Sequence, residues 1–346
     1  MISWIYLRFR SNRSIVAPEL AGSRRMLCLI VGQLDAYANS VKPKEISTQL
    51  AQLHYDVKIY NTLGLGRLSI TGIGRFLPSL SRHSILLYPL EMSRAIAQIA
   101  NRFLNLSILT YLNGRLLRAI MVRRGKFLNA TARTQGPDIV ICESGIDECL
   151  FLGDRIAPLQ VLDLPAPFLD EQLYAGTLSE SQFARLRKLE IDAFDNADRL
   201  SFHWHTYQDY VRSTYYSGTN WFKCDYGVRP KPIRAQYDSS LRIIFLGMLD
   251  GYWVNLPLLE KLCRMYPAID LWGGPMPHGY LKRHYRGYAE SVDIMAEYQL
   301  GLVTITDDPL RQHSFSSKHL EYISYGLPVL TPAWRQDRAL QHSSES

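Results

Sequence analysis

Two short stretches constrain the fold more than any other feature: MLCLIVG at Met26 to Gly32 and LRIIFLG at Leu241 to Gly247. Each is almost wholly apolar, too short for a packed helix, and closed by a glycine. A run of that kind is buried on both faces, as a parallel strand is when helices cover its sheet. Both runs are followed by a helical pattern, around Lys44 to Leu53 after the first and Leu258 to Met265 after the second. Further strands are predicted at Val57 to Tyr60, Pro137 to Cys142, Leu159 to Leu162 and Ala197 to Phe202, the last of the first half. In the second half they fall at Ala268 to Trp272 and within Glu297 to Thr304. Between the two series lies Arg229-Pro230-Lys231-Pro232, a basic stretch with two prolines that reads as a linker. At 346 residues the chain exceeds one typical compact domain. The expected architecture is α/β, with two Rossmann-like domains facing a central cleft. Residues 1–24 form an N-terminal extension, 25–224 the first domain and 225–346 the second.

Composition narrows the class. Hydrophobic residues at 47% and charged residues at 21% suit a globular protein that buries real cores. The net charge of +7 fits anionic partners, among them nucleotides, a phospholipid surface or nucleic acid, without choosing. The five cysteines are scattered and lack C-x-x-C spacing, so neither a disulfide frame nor a zinc site is implied, and a reducing cytoplasm is expected. No stretch approaches the roughly eighteen apolar residues of a membrane span. The opening MISWIYLRFRSNRSIV is basic and aromatic but lacks the apolar core and cleavage site of a signal peptide. Gly32 stands alone after the first strand, and Gly64-Leu65-Gly66 follows the second, so a dinucleotide fingerprint is absent.

Phe315 to Pro332, FSSKHLEYISYGLPVLTP, carries the most chemistry. It reads as a helix of about three turns that Gly326 stops through a positive φ and Pro328 cannot continue. Ser316 or Ser317 can cap it, and Leu320, Ile323 and Ser324 share one face. Lys318 stands in the first turn, where the helix dipole favours a carboxylate. A cation there is useful if an anion binds at the same end, because free N–H groups and an ammonium together hold phosphate. Glu321, one turn on, can accept from a ribose diol. The alternative is a surface helix with an ordinary i,i+3 Lys–Glu pair.

This stretch resembles the donor-binding motif of glycosyltransferases of the B-type fold, which move sugars from nucleoside diphosphates. Glu321 lies five residues before the glycine of Gly326-Leu327-Pro328-Val329, as in that family's motif. The family's second acid, eight residues upstream, is here His313. The spacing of Ser317, Lys318 and Glu321 is similar to the bacterial exopolysaccharide and capsule branch, including the xanthan glucuronosyltransferase. The resemblance implies a hexosyltransferase of the glycosyltransferase B fold, cytoplasmic or peripheral at the inner face of the membrane. Its co-substrate is a nucleoside-diphosphate sugar, with no further cofactor, and its acceptor a saccharide or lipid-linked saccharide. Gly247 would let backbone approach the donor phosphates, and Tyr288, after Tyr285-Arg286-Gly287, would line the base pocket. Such enzymes finish on a helix that crosses back to the first domain. After Thr331 only Pro332 to Ser346 remain, so a shortened C-terminal end is expected.

On the acceptor side the resemblance directs attention to Gln33, Ser40 and Lys42, which also read as an ordinary solvated loop. Ligands of open α/β sheets gather beyond the carboxyl ends of strands, which places Glu143 and Ser144 at the cleft. An inverting transfer, suggested by the exopolysaccharide branch, needs a carboxylate base in the first domain. Asp163 at a strand end comes first, then Asp170, then Glu143; the alternative is that Asp163 or Asp170 merely caps the following helix. From Arg115 to Arg133 a stripe of Leu116, Leu117, Ile120 and Met121 runs beside Arg115, Arg118, Arg123, Arg124 and Lys126. Such a helix either lies in an anionic headgroup layer or faces the core with a solvated basic side.

No two aspartates are separated by a single residue, so the manganese motif of the other transferase fold is missing, and metal independence is expected. His203 and His205 lack a third ligand at suitable spacing. Two rival readings remain: a nucleotide-sugar epimerase of the same fold, and a catalytically weak scaffold or binding protein of polysaccharide assembly. No nucleic-acid motif is present.

Overall fold

The computed structural model describes residues 25–32, 41–61, 82–104, 106–143, 155–164, 166–202, 205–223, 230–237, 241–249, 251, 253–289, 291–313 and 316–333. They form two wholly parallel sheets. The first comprises β1 (Leu27–Gly32), β2 (Asp56–Asn61), β3 (Ile139–Glu143), β4 (Leu159–Leu164), β5 (Arg199–Phe202) and β6 (Trp221–Lys223), in the order β2-β1-β3-β4-β5-β6. The second comprises β7 (Ile243–Leu246), β8 (Ile269–Trp272), β9 (Tyr285–Gly287), β10 (Leu300–Leu302) and β11 (Val329–Leu330), in the order β11-β10-β7-β8-β9. Each order reverses direction about its first strand, the doubly wound pattern expected from the two glycine-closed runs. The boundary expected at residue 224 lies outside the described residues, as does the extension 1–24.

Burial explains the continuous apolar runs. In β1, Leu29 and Val31 pack toward a core with Leu162, Leu164, Phe194 and Phe202, while Cys28 and Ile30 face Ile46 and Leu50 of α1 (Val41–Gln52) on the opposite side. In β7, Ile243 and Phe245 join Leu259 and Leu271, whereas Ile244 and Leu246 join Tyr298, Tyr322 and Tyr325. Successive residues therefore serve opposite faces, and both faces are dry. Cys28, Cys142 and Cys263 are buried free thiols.

Helices α2 (Arg82–Leu104) and α3 (Ser107–Gln135) form an antiparallel hairpin before β3, and α3 ends on Gly136 at φ +57°. They are followed by α4 (Phe168–Tyr174), α5 (Glu180–Asn196) and α6 (His205–Thr214). The second half adds α7 (Leu256–Met265), α8 (Pro309–Gln312) and α9 (Ser317–Ser324). Among the described residues no helix is long and apolar enough to cross a membrane.

One expectation needs correction. The first half does not end at Phe202, because β6 pairs with β5 beyond it; three residues of edge strand are too few to show a period. Asp308 caps α8, its Oδ1 accepting from Arg311 N–H at 2.9 Å and its Oδ2 from the Thr306 hydroxyl at 2.7 Å. Of the two readings of the α3 stripe, the core-facing one holds for Leu117, Ile120 and Met121, which are buried, Leu117 and Met121 against Leu169, Leu178 and Leu186.

Candidate functional site

Helix α9 is two turns long, shorter than expected. Its C-terminus is a Schellman turn: Gly326 at φ +80° donates to Ile323 O, and Leu327 N–H donates to Tyr322 O at 3.1 Å. Ser316 stands at the N-cap, but its hydroxyl makes no capping bond. The buried side is His319, Tyr322 and Tyr325, while Ile323 is exposed and Leu320 only partly covered. The expected apolar face is thus replaced by one of polar-tipped rings. The reason lies beneath the helix. The Tyr322 ring covers Gly301 of β10, where a Cβ would fall 2.4 Å from it, and its hydroxyl accepts from Leu246 N–H at 2.9 Å. One phenol thereby fixes α9 to the carboxyl end of β7.

That anchoring brings the sequence-predicted residues together. Lys318 Cε lies 3.9 Å from where a Cβ would stand on Gly247, the residue just past β7, and Lys318 Nζ pairs with Glu321 Oε2 at 2.7 Å. Both side chains keep part of their surface exposed. Ser317, the first helical residue, is exposed. Across the strand ends, Gly247 N–H donates to Trp272 O at 3.0 Å and Leu249 N–H to Gly274 O at 3.0 Å. Gly273 stands between them at φ +122°, with its missing Cβ 2.0 Å from Gly247 O. Only glycine has both the dihedral freedom and the space. The Tyr285 hydroxyl donates to Gly273 O at 2.7 Å, and the exposed Tyr288 ring lies 3.5 Å from a Cβ placed on Gly274. Gly247, Tyr288, Ser317, Lys318 and Glu321 therefore belong to one locality around the ends of β7 and β8. Gly273 and Tyr322 escaped the sequence reading. The doubled glycine at a strand end was the available signal for the first, and none existed for the second.

The first half offers a row instead of a cluster. Register pairs Glu143 with Asp163 and Asp163 with Ser201, so three polar positions stand abreast at the carboxyl ends of β3, β4 and β5. Asp163 and Ser201 are buried. The backbone of Glu143 is described in β3. Gln33, Ser40 and Ser144 lie outside the described residues, as do the side chains of Glu143 and Lys42.

Asp170 sits elsewhere. Its Oδ2 binds the Arg187 guanidinium and its Oδ1 accepts from the Tyr210 hydroxyl at 2.6 Å. Arg187 also pairs with Glu190 and stacks over the Tyr215 ring at 3.6 Å. One guanidinium thus faces two carboxylates. Burial, helped by Asp170, pushes the Glu190 carboxyl up to about 7, against the pull of Arg187. Neither Asp163 nor Asp170 caps α4, whose N-cap is Pro167 without a side-chain bond.

Contacts link the halves at this point. Glu171, next to Asp170, binds Arg311 of α8 at 3.0 Å, and Tyr210 stacks on His313 with centroids 4.9 Å apart. His313 O also accepts from the Thr206 hydroxyl at 3.4 Å. The position where the related motif has an acid is here a ring in an inter-half stack.

No protein-family model matches the chain. No curated protein matches it either. It is similar to the solved structure of sucrose-phosphate synthase from Thermosynechococcus elongatus, with a TM-score of 0.56 and 11% identity over 88% of this chain and 80% of that one. It is also similar, at TM-score 0.47 and 10% identity over 89% and 80% of the chains, to Phytolacca americana UGT2 complexed with UDP-2-fluoro-glucose and pterostilbene. A third likeness is to the Streptomyces sp. SF2575 glycosyltransferase SsfS6 complexed with thymidine diphosphate, at TM-score 0.41 and 13% identity over 92% and 86%. The first of these, together with the two parallel sheets, defines the architecture: two Rossmann-like domains of the glycosyltransferase B fold.

Proposed function

We propose that the chain is a glycosyltransferase that moves a sugar from a nucleoside-diphosphate sugar to a saccharide or lipid-linked acceptor in polysaccharide assembly. The observation that carries this reading is the placement of Lys318, paired with Glu321, against Gly247, beside the glycine pair at the end of β8. The donor diphosphate would lie over Gly247 and Gly273, where backbone is bare. Lys318 and the side-chain-uncapped start of α9 would face it, and Glu321 would accept from the ribose. Departure of the diphosphate leaves the electron pair of the broken C1–O bond on phosphate oxygen, which Lys318 stabilises without a divalent cation. The acceptor hydroxyl loses its proton to a carboxylate as its oxygen bonds to the anomeric carbon. Asp163, with Glu143 abreast of it, is assigned that role. Asp170 is already hydrogen-bonded through both oxygens and is assigned to supporting the Arg187 cluster.

Calorimetric titration of UDP, GDP, ADP and dTDP, with manganese and with chelator, tests the donor site. One nucleotide is expected to bind equally in both conditions and at least about tenfold more weakly to Lys318→Ala. The variant should retain its melting temperature, because a partly exposed i,i+3 ion pair contributes only about 0–1 kcal/mol. Absence of binding to all four would defeat the proposal.

A further inference from the structure

The end of the second sheet opposite the donor glycines gathers guanidinium groups on a single ring. There the last turn of α7 meets the short helical turn Gly279–Arg283, which leads into β9. Both stand at the amino ends of parallel strands, whereas Gly247 and Gly273 stand at the carboxyl ends. Arg264 lies over the Tyr280 ring at 4.2 Å, and Arg283 over the same ring at 5.4 Å. Tyr280 packs on the core of this half and lies 5.5 Å from the His284 ring, whose Nδ1 donates to Ile269 O at 2.8 Å. Glu260 Oε1 takes the Nε and one Nη of Arg264, at 3.2 and 2.5 Å. The far edge of that guanidinium and the fork of Arg283 remain. Two long cations are thereby held in place before any partner arrives, which lowers the entropy cost of pairing them.

Charge and exposure define the partner. Between residues 256 and 288 the sequence carries five Arg and Lys against two carboxylates. Both carboxylates are engaged, Glu260 by Arg264 and Asp270 by Arg286 at 2.6 Å. Lys261, Lys282 and Arg283 are exposed around the same turns, so the face keeps a positive surplus. Beside them Met265, Tyr266, Pro267 and Ala268 are exposed in succession. Tyr266 O accepts from Ile269 N–H at 3.2 Å, and Ile269 O holds His284, which joins this apolar run to the Tyr280 cluster. Arginine, tyrosine and methionine are enriched where proteins bind proteins. A guanidinium held flat presents a fork that a planar carboxylate fills with two hydrogen bonds. We propose that this face docks a partner polypeptide whose carboxylates flank apolar side chains. The inference is independent of the donor-site reading.

Fluorescence anisotropy of a dye-labelled peptide of Glu-Glu-Leu repeats, titrated with the full chain, tests it. Binding is expected and should weaken with salt. The double variant Arg264→Ala, Arg283→Ala should weaken it by about tenfold, as two surface ion pairs of moderate strength would give. The variant Arg264→Lys, Arg283→Lys keeps the charge, removes the fork and should weaken it nearly as much. Met265→Ser, Tyr266→Ser should weaken binding of this peptide and leave that of a Glu-Glu-Ser repeat unchanged. All four positions lie outside the candidate donor and acceptor residues, so melting curves and nucleotide titrations should match the wild type. No binding of the peptide, or binding that the alanine or the lysine variant leaves intact, would overturn the proposal. So would tighter binding of polygalacturonate or single-stranded DNA at equal charge, since the face would then read charge density and not a polypeptide.

Discussion

The two halves share a fold and differ in what they do with buried polarity. The first takes charge inside: Arg187, Asp170 and Glu190 sit among the rings of Tyr207, Tyr210 and Tyr215. The second meets its carboxylates with phenols, whether the carboxylate is buried, as Asp270 is, or exposed, as Asp293 is. The Tyr298 hydroxyl reaches Asp270 at 2.9 Å, the Tyr325 hydroxyl reaches Asp293 at the surface, and the Tyr322 hydroxyl stays with backbone. Buried phenols do not titrate near neutrality; burial pushes Tyr298 up to about 12 and Tyr322 higher still. A buried triad with two carboxylates on one guanidinium does. These phenols should therefore not respond to pH near neutrality, where the Arg187 triad does.

The contrast can be broken from its strongest end. Gly273→Ala places a methyl group against Gly247 O at a positive φ, and strain plus overpacking should cost about 2–6 kcal/mol in urea unfolding. Nucleotide affinity should fall with it, because the same displacement moves the floor of the site. Retention of both would show the β7–β8 ends to be looser than drawn. Tyr322→Phe leaves Leu246 N–H unsatisfied while preserving the ring over Gly301, so a loss of about 1–3 kcal/mol is expected. That loss should be constant from pH 5 to 8, with pH 5 and 8 being roughly the span free of tyrosine and most carboxylate titration.

A third effect sharpens the comparison. The Glu190 carboxyl is raised in the fold, so the folded protein holds its proton more tightly than the unfolded chain. Its contribution is full below about 4.5 and is lost as pH rises through about 7. Glu190→Gln keeps the shape and removes the titration. The melting temperature of the wild type relative to this variant should decline across that window and level off above it. A flat difference would mean that Arg187 holds Glu190 ionised throughout.

Legibility in the sequence followed distance along the chain. The glycine-closed runs announced β1 and β7, and the helix stop at Gly326 came from a dihedral that glycine alone adopts easily. Lys318 and Glu321 could be read because they share one turn. What was lost depended on contacts between remote segments. The face of α9 was misjudged because tyrosines were not counted as core, and the burial of Tyr322 depends on Gly301, more than twenty residues earlier in the chain. Nothing near Asp170 hinted that Arg187 and Tyr210 would claim both its oxygens. The burial of the α3 stripe was equally hidden, since periodicity shows that an apolar stripe exists but not which side the body occupies.

The row at positions 143, 163 and 201 has a consequence for change. Neighbouring strands stand about 4.8 Å apart, so the three backbone positions mark a fixed pitch of roughly 10 Å from end to end. A one-residue slip of any strand would turn its side chain to the other face, so the spacing cannot drift by small steps. Side chains at the three positions can be exchanged one at a time while that pitch stays as it was.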